Sequence, residues 1–234
     1  SSAGASDVKD MRKAIPLVES AGNPVMLDTP FDPELTNTEK TPAEPAESAQ
    51  PLIEGFCFGS FRVLVNHQPI EYWPGKKGKS IFAYLLLNHK KKIFRDVLMD
   101  IFWPKSSPDS ARNCLNVCIH GIRRALYDKD PKTEYILFKD ECYYCNPEID
   151  INIDVEEFRK TWRSAQSLEH AKNLPAATSK FERAARLYKG DFLEDEMYDS
   201  WNSLDRENLR EIYLVILDRL SKFYIENGQV ITAN

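Results

Sequence analysis

Residues 110–126, "SARNCLNVCIHGIRRAL", read as a helix with two unlike faces. At 100° per residue, Leu115, Ile119, Ile122 and Leu126 fall within about 60° of one another, and Ala111 and Cys118 extend that stripe. This is the side expected to be buried. Nearly opposite lie Asn113, Val117, His120 and Arg124, flanked by Asn116, Gly121 and Arg123. That second stripe holds amides, an imidazole and guanidiniums, and no carboxylate follows until Asp128. Amides suit adenine edges, and Arg suits guanine or phosphate. A face that merely meets solvent usually mixes both signs of charge. Gly121 costs the helix about 1 kcal/mol relative to Ala, but it would let a backbone or a phosphate approach closely.

The elements on either side of this helix define its setting. Upstream, "IEGFCFG", "FRVLVN" and "PIEYW" are short β-prone runs broken by turn-forming residues. "KGKSIFAYLLLNHK" has helical apolar spacing, and "FRDVLMDIFW" (94–103) gives a second short helix. "PKSSPDS" (104–110) is expected as a loop whose Ser and Asp cap the next helix. Downstream, "TEYILFKDECYYCNP" predicts two strands meeting near Asp140 as a hairpin. The order is β-β-β-α-α-α-β-β. After "NIDVEEF" every pattern is helical: 155–172 capped by Asp154, 175–189 with Pro175 in its first turn, and a long helix from about Trp201 to Asn227. Helix pairs beginning near 154 and 200 suggest a repeat of two-helix units.

Composition bounds the rest. The 234 residues are 42% hydrophobic and 29% charged, the signature of a soluble globular protein with room for two cores. No window approaches a membrane span, and the start lacks the apolar stretch of a signal peptide. The start also lacks Met, and the end has no cap, so the chain reads as a fragment of a larger protein. Five cysteines and no secretion signal point to reduced thiols and a cytoplasmic setting. The net charge of −5 is unevenly distributed. Residues 1–50 carry 4 Lys or Arg against 9 Asp or Glu, residues 51–150 carry 15 against 12, and residues 151–234 carry 12 against 15. Only the middle block is basic, and mildly so. Residues 1–50 also hold six of the fourteen prolines and no sustained periodicity, as expected of a linker.

Taken together, these motifs resemble a known family. The strand block, three helices and hairpin are similar to an OmpR/PhoB-type winged helix. "DSARNCLNVCIHGIRRAL" resembles the recognition helix of the form found in SARP-type regulators, and "FRDVLMDIFWPKSSPDSARN" its second helix and transactivation-type loop. "NIDVEEFRKTWRSA" and "YKGDFLEDEMYDSWNSLDRENLREIYLVILDRL" resemble the bacterial transcriptional activator domain (BTAD) that follows it. The resemblance covers about 52–234. It implies an α+β winged helix of the OmpR/PhoB type followed by an all-α, TPR-like repeat domain. The boundaries are a linker at 1–51, the winged helix at 52–150, and a truncated BTAD at 151–234.

The function implied is DNA-binding transcriptional regulation, with helix 110–126 in the major groove and hairpin 134–146 as a wing near the adjacent minor groove. DNA-facing residues would be Asn113, Asn116, Val117, His120, Arg123 and Arg124, with Lys76, Lys77 and Lys79 beside the backbone and Lys139 on the wing. Expected partners are duplex DNA, RNA polymerase, and a second protomer as a homodimer or in tandem on direct repeats. The chain departs from the family at His120 and Gly121, often Arg, and at Cys142-Tyr143-Tyr144, where the wing commonly ends Gly-Tyr-Arg. Fewer cations would flatten the salt dependence of binding. The competing reading is a protein-interaction module within a larger signalling protein, its DNA affinity weak or lost.

Other signals carry less. "PGKKGKS" (74–80) approaches a P-loop, but the required first glycine falls on Trp73, so no nucleotide cofactor is expected. Cys142 and Cys145 would point to opposite faces of a strand, which argues against zinc shared with Cys114 and Cys118; small buried cysteines are the reading. "GDFLEDEMYD" lacks the alternation of a calcium loop, and its acids complement the start of the helix that follows. His67, His89, His120 and His170 have no nucleophile or carboxylate at motif spacing, so no enzymatic activity is expected. Phe158, Trp162, Phe181, Tyr188, Trp201, Tyr213 and Phe223 recur at helical spacing and read as packing.

Overall fold

A computed structural model describes residues 50–196 and 200–226. The expected linker at 1–51 lies almost wholly outside the described residues. So does the end of the long helix beyond 226.

An α/β half comes first. Strands β1 (Leu52–Phe56), β2 (Arg62–Val65) and β3 (Gln68–Pro69) form a meander, followed by helix α1 (Gly75–Leu87). A two-residue strand, β4 (Ile93–Phe94), precedes α2 (Arg95–Phe102) and α3 (Pro108–Tyr127). Strands β5 (Ile136–Lys139) and β6 (Cys142–Cys145) make the hairpin, and β7 (Asp150–Ile153) ends the half. Two strands differ from the expected order. β4 adds to the hairpin to give a sheet ordered β4-β6-β5, and β7 runs parallel to β1 in a sheet ordered β3-β2-β1-β7. Neither has a signal of its own: one is two residues long, and the other is recognisable only through its partner.

Both tight hairpins use non-glycine residues in the left-handed region. Asn66 and His67 have φ of 48° and 65°, and Asp140 and Glu141 have 54° and 60°. Positive φ at both central residues matches the right-handed twist of the strands. The Asp140–Glu141 turn is also held from outside: the Arg95 amide donates to the Glu141 carbonyl at 2.8 Å, and the Arg95 guanidinium pairs with the Glu141 carboxylate.

The core of this half lies between the sheets and α1, α2 and α3. Ile53, Val63 and Val65 meet Ile81, Phe82, Leu85 and Leu86, while Leu98, Leu115, Ile122 and Leu126 close the other side. Fully burying a side chain of this size contributes about 1.5–3 kcal/mol.

The helical half comprises α4 (Asp154–His170), α5 (Leu174–Leu187) and α6 (Ser203–Glu226), the last preceded by a single 3₁₀ turn, Ser200–Asn202. α5 starts one residue before the expected Pro175, and Asn173 caps it by accepting from the Ala176 amide. Trp162 packs on Phe181 with centroids 5.7 Å apart, and Tyr188 stacks on Tyr213 at 4.1 Å. Asp154 is the first residue of α4, not its cap. Its carboxylate accepts from Val155, but also from Cys57 and Phe58 at the end of β1, at 2.8–3.0 Å.

The segment "GDFLED" joins the two halves. Leu193 donates its amide to Cys57, and Gly59 donates to Asp191, so the segment pairs with the chain after β1. Phe192 and Leu193 are fully buried there. Asp195 accepts from the Phe61 amide at 3.0 Å and pairs with Lys79. This corrects the reading of these acids as complements to the next helix in the case of Asp195, which reaches back to α1, while Asp199 lies outside the described residues. Trp201 completes the seam against Tyr84 and Phe102, at 5.4 and 6.1 Å.

Candidate nucleic-acid interface

α3 begins two residues earlier than expected, with Pro108 in its first turn and Ser107 preceding it. Ser107 makes no side-chain capping bond, so the local proline sets this boundary. Ala111, Leu115, Ile119, Ile122, Ala125 and Leu126 are buried, which is the expected apolar stripe with Ala125 added and with Cys118 only half-buried at its edge. Asn113, Asn116, Val117, His120 and Arg124 are all exposed along the opposite face, Val117 at 72%. At 1.5 Å per residue the helix is about 30 Å long.

The helix ends one residue later than expected, and Tyr127, 59% exposed, thereby continues the polar stripe. The spacing of three from Arg124 was the signal that could have found it. Arg112 is a further cation on α3, lying 3.8 Å from Asp109.

The expected cations divide into free and engaged groups. Lys76, Arg124 and Lys139 are exposed, with no ion pair among the described residues. Arg123 turns inward, its Nε and Nη2 donating to the Ile136 carbonyl at 3.2 and 2.8 Å, with Glu134 at 3.5 Å. It ties α3 to the first strand of the hairpin. Lys77 donates to the Phe102 carbonyl at 2.7 Å and lies over the Trp103 ring. Lys79 pairs with Asp195 at the seam and is only about one-fifth exposed. Burial pushes the Asp195 carboxyl up, but the Lys79 ammonium and the Phe61 amide outweigh it and hold the group below the usual carboxylate range.

Gly121 does not leave an opening for phosphate. A Cβ there would lie 2.3 Å from Pro74 Cβ and 2.8 Å from its Cγ, so the gap is filled by the proline that precedes α1. Pro74 also sits over Gly78, where a Cβ would be 2.7 Å from its Cγ. The two glycines let one ring lock α1 against α3.

The hairpin, tied to α3 through Arg123, exposes Phe138 and Lys139 near its turn. Tyr144 lies on the same hairpin with Lys92 over its ring at 5.1 Å. Cys142 and Cys145 are buried as expected, whereas Cys114 and Cys118 are only half-buried. Among the described residues no cluster of three or more His, Cys, Asp or Glu could hold a metal ion, and no helix is long and apolar enough to cross a membrane.

Comparison with known proteins matches the helical half and the fold. Residues 153–232 match the bacterial transcriptional activator domain. No curated protein matches the chain. Among solved structures, the chain is similar to Mycobacterium tuberculosis EmbR, determined in complex with a low-affinity phosphopeptide, at 17% identity and a TM-score of 0.63. The match covers 77% of this chain but 47% of that one, so this chain spans about half of its length. The likeness is one of fold: an α/β region followed by helices. The helical half thus matches the bacterial transcriptional activator domain, and the fold of the chain is similar to that of EmbR.

Proposed function

We propose that this protein is a DNA-binding transcriptional regulator in which the α/β half acts as a winged helix. The observation that carries this reading is the stripe Asn113, Asn116, Val117, His120, Arg124, exposed along a helix whose other face is core. α3 enters the major groove. Asn113 and Asn116 face base edges, Val117 offers its methyls to thymine, and Arg124 reaches guanine or phosphate. Hairpin β5–β6 is the wing, with Lys139 placed for a phosphate at the adjacent minor groove. Lys76 contacts the backbone from the start of α1. Arg123, Lys77 and Lys79 hold the scaffold, positioning the wing, the α2–α3 connection and the helical half in turn.

The TPR-like helical half then carries activation, through contact with RNA polymerase and through pairing of protomers in tandem on direct repeats. Support comes from the domain match and from the seam, which fixes this half to the reading module.

The engagement of three of the expected cations favours a second reading, an interaction module with little DNA affinity. Fluorescence anisotropy on labelled duplexes from upstream of the protein's own gene, at two salt concentrations, decides between them. Salt-sensitive, sequence-dependent binding that weakens in Arg124→Ala supports the regulator. Absence of binding at low salt, with the protein folded, supports the module.

A further inference from the structure

Strand β7 ends the four-stranded sheet: it pairs with β1 and with no other strand among the described residues. The Asp150 amide donates to the Pro51 carbonyl at 2.9 Å, so Asp150 and Asn152, of like parity, direct their backbone groups to β1. Ile151 therefore turns its amide and carbonyl away from the sheet, and Ile153 its amide. An edge of this kind is a template for another extended chain.

An open cleft of about 710 Å³ borders the edge, lined by residues 151–153 and by the first turns of α4. Its charges are unevenly committed. Each acid of the lining has a partner: Glu54 meets His67 Nδ1 at 2.8 Å, Glu156 pairs with Lys90 at 3.0 Å, and Glu157 with Arg183 at 2.8 Å. The Asp154 carboxylate accepts from the amides of Cys57, Phe58 and Val155. Among the cations, Glu156 holds Lys90, and Asp205 holds Arg159 at 2.6 Å. Lys160 and Arg163 remain. They lie one turn apart on α4, exposed and in no ion pair among the described residues. Phe56 and Leu187, both half-buried, add apolar lining.

We propose that the free edge of β7 docks an acidic segment of a partner protein, which adds to the sheet as an extended strand. The segment's backbone bonds to the amides of Ile151 and Ile153 and to the Ile151 carbonyl, and its carboxylates meet Lys160 and Arg163. Apolar residues at alternate positions meet Phe56 and Leu187. Two features select this occupant. A strand edge takes an extended polypeptide, and the uncommitted charge beside it is positive. A nucleic-acid strand would satisfy the cations but not the alternating amide and carbonyl of the edge.

The test is fluorescence anisotropy of the full chain with a short fluorescein-labelled peptide alternating Glu and Val. The expected result is saturable binding, lost when the peptide's amides are N-methylated on the bonding side and lost when Lys replaces its Glu. Lys160→Glu/Arg163→Glu should weaken binding by about tenfold or more, as loss of charge-assisted bonds predicts, whereas Lys105→Glu, outside the cleft, should not. Both cleft positions are exposed, and far-ultraviolet circular dichroism checks that the double variant is folded. Amide hydrogen exchange across residues 150–153 should slow when the peptide binds. Absence of binding would mean that the two cations only guard the edge, and it overturns the proposal. Equal binding of the N-methylated peptide, or unchanged binding in the double variant, overturns it as well. None of these results depends on whether α3 binds DNA.

Discussion

Helix α3 and the segment 191–195 both concentrate charge, and the structure treats them in opposite ways. Along α3, Asn113, His120 and Arg124 stay exposed while only Arg123 folds back. Along 191–195, acids that look solvated frame two of the most deeply buried apolar residues, and Asp195 reaches Lys79, 116 positions earlier. Charge type is thus a poor guide to availability. Arg123 and Arg124 are adjacent and identical, yet one braces the hairpin and the other faces out. Lys76 and Lys79 differ in the same way along one turn of α1. What separates them is whether an acceptor from a distant part of the chain lies within reach.

The strongest way to break this comparison is at the seam. Phe192→Ala should destabilise the protein by about 3–5 kcal/mol, the usual range for a buried Phe, measured by urea unfolding. Because Phe192 and Leu193 are core to both halves, far-ultraviolet circular dichroism and tryptophan fluorescence should report one coincident transition. Two separated transitions in the wild type would mean that the segment is a tether and not a joint.

Gly121→Ala comes next. On propensity alone it should stabilise α3 by about 1 kcal/mol. The 2.3 Å approach to Pro74 predicts the reverse, a loss of about 1–3 kcal/mol from overpacking. A rise in Tm would show that Pro74 is not seated on the helix.

A smaller contrast sharpens the division of the arginines. Arg123→Ala should cost about 1 kcal/mol of stability, a partly exposed charged hydrogen bond at the low end of its range. Arg124→Ala should leave stability within about 0.5 kcal/mol. In DNA binding the order should invert, with Arg124→Ala weakening affinity and, if it meets phosphate, lowering the salt slope by about 1.

The smallest effect is one of pH. Asp195 has its carboxyl lowered on folding, so the unfolded chain binds more protons between the two values and stability rises with pH there. Its contribution should be complete above the unfolded carboxyl value near 4 and fade as pH falls through the lower folded value. Asp195→Asn should remove that part of the acid limb, seen as a shallower fall in Tm below about pH 4.

Much of the candidate interface was legible because it depends on one helix. The 3.6-residue period separated Leu115, Ile119 and Ile122 from Asn113, Val117 and His120 without any partner being known, and the observed burial follows it. The hairpin was legible for a similar reason: period-two runs meet at Asp140, which sits in the turn. Strands β4 and β7 were not, since two residues carry no period and a parallel edge strand exists only through β1. Cys114 and Cys118 were misjudged as buried because a helix edge has no composition of its own.

The sequence by itself therefore determined which faces exist: the apolar and polar stripes of α3, the helical character after residue 154, and the order of most elements of the α/β half. Those are local properties, set by side-chain period and backbone preference within a few residues. Only the tertiary structure decided which polar groups on those faces remain free. Pro74 closing on Gly121, Ile136 receiving Arg123 and Asp195 receiving Lys79 are pairings across 13 to 116 residues. Their geometry arises when buried apolar residues bring distant segments together, and no short window of sequence contains it.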